Sequence, residues 1–496
     1  MKMRHYPIKS CVTILALVLL CVFTFSCGEN LSEAGSNAAT ENSDEVPIGG
    51  TATEAAAIPK PPKGDYNGYV FRVGQGDPSH SIREKLVVVE ELDGDLVNDA
   101  IYNRNNNAAE RTNTIIKSVA MESYSALKNS VLAGDDFCDV ALADPYNFYS
   151  SIGSGILIDV NTIDTLDTSN PWWDQNQVSE LDIYGKLFSL VGDITTTDEF
   201  HTVCLIYSCN LFEDFGFDSP YSMVEDGSWT LDRFLDMCRD VAADIDGDGV
   251  MGEFDRWGFT TESAMMSWMC DSFGARSILR DSEGEFSLNV NDSLVRSIID
   301  SVIRLATEKN IVTMAGDGII TASTYGDVYY HMEALFAQDL ALFHSGTFDD
   351  LTRMRSYDAD YGIVPLPKFN ESQEKFYHSV SWTGVQLVIP ATVENTDLVG
   401  TVLENMGWES HFTLNPVFYE LFISEKLARD EKSKAMLDMI FSTKYYSLDD
   451  YANISGLNTI INKIAASKEN TFASDWAANE AKAVANLSKF LEPFRK

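Results

Sequence analysis

Residues 69–73 read Tyr69-Val70-Phe71-Arg72-Val73, and residues 139–142 read Asp139-Val140-Ala141-Leu142. Between them lie a helical pattern from about Leu96 to Thr112, a β-like Thr114-Ile115-Ile116 and a second helical pattern from Ser123 to Leu132. Short β-rich runs that alternate with helices predict a parallel α/β sheet. Ligands of such sheets sit outside the carboxyl ends of the strands. The loop after Leu142, with Asp144 and Tyr146, is therefore a candidate cleft wall.

Further β-like runs follow at Thr202 to Ser208, Leu340 to Phe343, Tyr361 to Val364 and Gly384 to Ile389. The stretch from Ser228 to about Glu308 is mostly helical in pattern. From about Val393 the pattern is helical to the end, with no internal repeat. A chain of 496 residues exceeds the usual domain size, so two or more lobes are expected. Strand signals at the start and again near the middle imply that the chain crosses between lobes more than once. The expected division is lobe 1 at about 66–195 and 330–390, and lobe 2 at about 200–325 and 391–496.

The formal net charge of -39 repels nucleic acid and anionic lipid, so neither is an expected partner of the folded part. Cys138, Cys204, Cys209, Cys238 and Cys270 form an odd set without CxxC spacing, and imply neither a zinc site nor a disulfide framework.

The N-terminus has the layout of an export signal. Lys2, Arg4 and Lys9 precede an apolar run from Cys11 to about Phe25. Ser26-Cys27-Gly28 closes it and resembles a bacterial lipobox, with Thr24 where that pattern usually has Leu. Residues 1–26 are then expected to be a signal peptide and Cys27 to carry the lipid, which holds the protein at the extracellular face of the cell membrane; an uncleaved signal anchor is the alternative, with the same location. Residues 27–65 have almost no large apolar side chain before Ile48 and are expected to form a flexible tether. Such a tether spans on the order of 30–40 Å.

One motif is sharp. Residues 244–255 place Asp244, Asp246 and Asp248 at positions 1, 3 and 5, Gly249 at position 6 and the Val250 carbonyl at position 7 of a calcium-type loop. Asp255 stands at position 12, one methylene shorter than the usual Glu. Three carboxylates so close together otherwise repel, and a hard Ca²⁺ wants oxygens. A structural ion is expected. A solvated acidic turn is the plain alternative.

Several ordered stretches resemble the extracellular solute-binding proteins of carbohydrate ABC importers (family 1), particularly the long clostridial lipoprotein subgroup. They include Asn170-Pro171-Trp172-Trp173-Asp174-Gln175, Val191-Gly192-Asp193-Ile194 and Gly227-Ser228-Trp229-Thr230-Leu231. Arg256-Trp257-Gly258-Phe259 and Tyr361-Gly362-Ile363-Val364-Pro365-Leu366-Pro367 continue the series. The resemblance spans roughly residues 66–496. It implies a maltose-binding-protein-like α/β fold of the type II periplasmic-binding class: two lobes, a hinge, an interlobe cleft and a helical C-terminal part. It also implies ABC permease subunits as partners and no catalysis, but it does not fix the solute, which is expected to be a small polar molecule, a mono- or oligosaccharide first.

Sugars present apolar C–H faces and many hydroxyls, so a binding cleft needs aromatic platforms and fixed polar groups. Trp382, flanked by Ser381 and Thr383, is the first candidate platform. Trp268 on a Met-rich helix is the second, and Trp172 is a third ring candidate. Asp193 near the hinge and Asp144 after a strand are the polar candidates. For any one of these tryptophans, core packing is the competing role. A ligand-presenting sensor or adhesin shares the same features. An exported glycan hydrolase is a weaker alternative, since no GxSxG or HExxH motif occurs.

Overall fold

The computed structural model describes residues 58–76, 87–317, 328–354, 357–422 and 431–495. Cys27 and the expected signal and lipobox lie outside the described residues. So does the tether, apart from residues 58–65.

The first sheet has four strands in the order Gln386–Val388, Val140–Ala143, Tyr69–Gln75 and Thr114–Ala120. Tyr69–Gln75 runs parallel to both of its neighbours, with Tyr69 opposite Thr114. The helices between these strands are set by their ends. Asp95 accepts hydrogen bonds from the backbone N–H groups of Val97 and Asn98 and starts Leu96–Thr112. Ser123 caps Tyr124–Ala133, and Gly134 ends it at φ 78°. The parallel α/β unit expected from residues 69–142 is thus present.

The second sheet has five strands in the order Tyr361–Val364, Val203–Ser208, Ala341–Thr347, Trp257–Thr261 and Val312–Met314. Trp257–Thr261 and Ala341–Thr347 are parallel. Each sheet has its own apolar core. Phe71, Val140 and Leu387 lie in the first, and Leu205, Phe259 and Phe343 in the second.

The lobe boundaries differ from the sequence expectation. Residues 341–364 were assigned to the first lobe, yet both of their strands hydrogen-bond within the second sheet. Helix Thr396–Phe412 was assigned to the second lobe, yet Leu398, Val402 and Met406 enter the first core. A short apolar strand carries no mark of which sheet it will join, because both cores take the same residue types.

Three segments run side by side between the sheets. Thr202 bridges Val380, and the Ser381 N–H donates to the His201 carbonyl at 2.9 Å. His378–Ser379 pairs in parallel with Lys444–Tyr445. Lys444, buried here, meets Asp174 at 2.8 Å, Glu199 at 2.8 Å and Asp198. None of the five described cysteines forms a disulfide.

Candidate functional site

The carboxyl ends of Trp257–Thr261 and Ala341–Thr347 face the connecting layer across a cavity of about 380 Å³. Thr261 and Glu262 come from the end of one strand, and His344 to Thr347 from the end of the other. Ser381, Trp382 and Thr383 come from the connecting layer, and Tyr329, Tyr330 and Glu333 from the region of helix Val328–Ala337.

The rings form the apolar part of the wall. Trp382 is 39% exposed, an unusual state for a tryptophan in this chain, since Trp172, Trp173, Trp229 and Trp257 are all essentially fully buried. Its ring lies 5.5 Å from that of Tyr146, tilted by 51°. Tyr146 follows the strand Val140–Ala143, so the first lobe backs the platform. Tyr329 and Tyr330 are half exposed. Trp268 also lines the wall, 4% exposed, and its indole N–H donates to Asp450 at 3.1 Å.

The polar part is dense. Thr347 donates through its N–H at 2.7 Å and its hydroxyl at 2.9 Å to Oδ2 of Asp350, which lies in the first turn of helix Phe348–Met354. Arg353 donates to Glu333 Oε1 at 2.7 and 2.9 Å and also to Asp350. Thr261 and Ser345 share a 2.7 Å hydroxyl contact, and His344 Nδ1 lies 3.0 Å from the Thr260 hydroxyl. Burial pushes His344 down to about 4, so it is neutral at pH 7. Burial, and then the charge of Asp350, push Glu262 up to about 7.

The structure separates the sequence candidates. Trp382 and Trp268 line the cavity. Asp144 does not, though its neighbour Tyr146 touches Trp382; Asp144 accepts from the Asn147 side chain at 3.3 Å. Asp193 lies elsewhere, held by His411 at 2.6 Å and Asn415 at 2.8 Å. Trp172 is 0% exposed and packs in the first core. Sequence reasoning passed over Tyr329, Tyr330, Glu262, Asp350 and Arg353. A usable signal existed for Glu262, which directly follows an apolar strand in an α/β pattern.

The acidic loop lies apart from the cavity residues. Asp244, Asp246 and Asp255 each bring a carboxylate oxygen within 4.8 Å of the others, a cluster that does not include the Asp248 carboxylate. Asp255 is fully buried and accepts N–H bonds from Ile245 at 2.7 Å and Gly252 at 2.7 Å. Ala243 and Arg256 bond reciprocally at 2.8 and 3.0 Å and close the loop at its base. The Trp257 indole donates to the Gly252 carbonyl at 3.0 Å. An all-oxygen donor set of this kind suits a hard divalent cation.

No protein-family model matches the sequence, and no curated protein matches it. Solved structures do match the fold. The crystal structure of a cyclo/maltodextrin-binding protein complexed with maltotetraose superposes with a TM-score of 0.55 at 12% sequence identity, covering 87% of this chain and 98% of that one. The architecture is that of the two-lobed periplasmic-binding-protein-like fold. The neighbour is a binding protein, and its described ligand is a sugar.

Proposed function

We propose that this chain is a lipid-anchored extracellular receptor that captures a mono- or oligosaccharide and delivers it to an ABC importer. The observation that carries this reading is the make-up of the cavity. Exposed rings of Trp382, Tyr329 and Tyr330 converge with fixed hydroxyls and carboxylates at strand carboxyl ends. Rings take the C–H faces of a sugar, and Asp350 and the Thr347 and Ser381 hydroxyls take its oxygens. Closure of the lobes about the connecting layer would be the working motion, read by the permease subunits. Lipidated Cys27 would hold the protein at the outer face of the membrane, with residues 27–65 as its tether. Asp244, Asp246 and Asp255 would hold a structural Ca²⁺, joining helix Leu231–Val241 to strand Trp257–Thr261.

A thermal-shift screen of the full chain against saccharides, amino acids and peptides tests this. A ligand at about a hundred times its Kd adds roughly 2.7 kcal/mol of stability. A saccharide that raises Tm in the unaltered protein but not in Trp382→Ala supports the reading. A panel in which only amino acids or peptides shift Tm sinks it.

A further inference from the structure

We infer that the solute taken by this cavity carries a positive charge, as an amino sugar does, and is not a neutral sugar. The inference rests on the receptor reading above and narrows it.

Four carboxylates, Glu262, Glu333, Asp349 and Asp350, line the cavity. Arg353 is the one lysine or arginine among the described lining residues. That cation is already committed to the protein: it binds Glu333 and Asp350, lies 3.8 Å from Asp349 and sits 5.5 Å from the centre of the Tyr330 ring. Against the cost of burial, Arg353 and the Thr347 donors hold the Asp350 carboxyl below its usual range. His344, the imidazole beside Thr260, is neutral near pH 7 and adds no positive charge. His201 bonds to the Thr383 hydroxyl at 3.2 Å.

Glu262 differs from the other acids. It stands before helix Ser263–Ser272 in extended backbone, but its side chain does not cap that helix. Among the described residues, no hydrogen bond or ion pair reaches its carboxylate. In its ionised form, which burial and Asp350 confine to about half of the molecules at pH 7, Glu262 adds a negative charge that no described side chain pairs with. The rings of Trp382, Tyr329 and Tyr330 line the same cavity, and aromatic faces attract cations. A neutral sugar leaves the ionised form of Glu262 unmet, whereas a cation draws the carboxyl into that form. An ammonium group on the ring would pair with it through a charge-assisted hydrogen bond. The net charge of -39 would steer the same kind of solute toward the protein.

The test is calorimetric titration of the full chain with three sets of sugars of matched length: glucosamine oligomers, their N-acetylated counterparts and maltooligosaccharides. The amino form is expected to bind about tenfold tighter or better, as one charge-assisted bond in place of a neutral one implies. Its advantage should shrink as salt rises and should be lost in Glu262→Gln. Equal or tighter binding of an N-acetylated or neutral sugar overturns the charge inference and leaves the receptor reading standing. Failure of every saccharide in the unaltered protein overturns both. Should Glu262→Gln not fold, salt dependence in the unaltered protein decides, and an amino-sugar affinity indifferent to salt overturns the inference.

Discussion

The indole N–H of Trp268 donates to Oδ2 of Asp450 at 3.1 Å, and so ties a ring of the cavity wall to a buried carboxyl near the C-terminus. Asn458 donates to the same side chain. Asp450→Ala removes the acceptor and leaves a buried N–H unpaired. A loss of about 1–3 kcal/mol is expected in a denaturant melt, with weaker solute binding. Asp450→Asn keeps an oxygen for the indole and should bind solute nearly as the unaltered protein does. Equal binding by the Ala variant would show that the bond does not position Trp268.

Trp382 and Trp172 should respond in opposite ways. Trp382 is half exposed on the wall, so Trp382→Ala should lower solute affinity about tenfold or more while Tm moves little. Trp172 is fully buried, so Trp172→Ala should cost about 3–5 kcal/mol by cavity formation. Paired calorimetry and thermal melts separate the two roles. A Trp382 variant that binds normally would move the site elsewhere.

Helix Thr396–Phe412 passes Trp172 at a glycine. A Cβ at Gly407 would lie 2.3 Å from Trp172 Cδ1. Gly407→Ala therefore overpacks the first core, against the usual helix-stabilising effect of alanine. A net loss of about 1–3 kcal/mol is expected. A gain in Tm would show that Trp172 yields readily.

Stability should rise as pH falls from about 8 to about 5. Glu404 accepts from Trp173 at 2.9 Å and Asn170 at 2.7 Å, yet burial pushes it up to about 7. Burial likewise pushes Asp450 up to about 7, despite the donors that it has. Unfolded, both titrate near 4. Between those values the native state binds more protons, so stability falls as pH rises through this window and is flat above it. Below about pH 4 the opposite class takes over: Asp475, held low by bonds from Lys463 and Thr471, loses its stabilising contribution as it protonates. Melting curves across pH should peak near pH 5, and Glu404→Gln should flatten the slope between pH 5 and 8.

Calcium should raise Tm, and a chelator should reverse the effect. Asp246→Asn should abolish the response, because it removes one of three converging carboxylates. Solute affinity should change little, since the loop supplies no cavity residue. A Tm indifferent to calcium would reduce the loop to an Asp-rich turn closed by its own backbone bonds.

The alternation of strands and helices between Tyr69 and Leu142 was legible because both patterns are local. The Asp-rich turn was legible because its spacing is fixed within 12 residues. The ownership of 341–364 was not, since joining one sheet or the other is decided by contacts far away in sequence. Trp382 stood out through its polar neighbours Ser381 and Thr383. Asp193 did not betray its partners, because His411 and Asn415 come from a helical region more than two hundred residues later. Glu262 and Asp350 were lost among 75 acidic residues, where composition cannot distinguish a wall from a solvated surface.

The place of Gln386–Val388 at the edge of the first sheet sets an order of assembly. The second sheet draws all its strands from one stretch that ends at Val364, whereas the first must wait for Gln386. A chain that emerges N-terminus first can complete the second sheet while Val140–Ala143 still offers an open edge. Open edges invite pairing with other chains, and slow long-range pairing prolongs that exposure. The lobe synthesised first is therefore the lobe finished last, and its unguarded interval is the point at which folding of this protein is most vulnerable to aggregation.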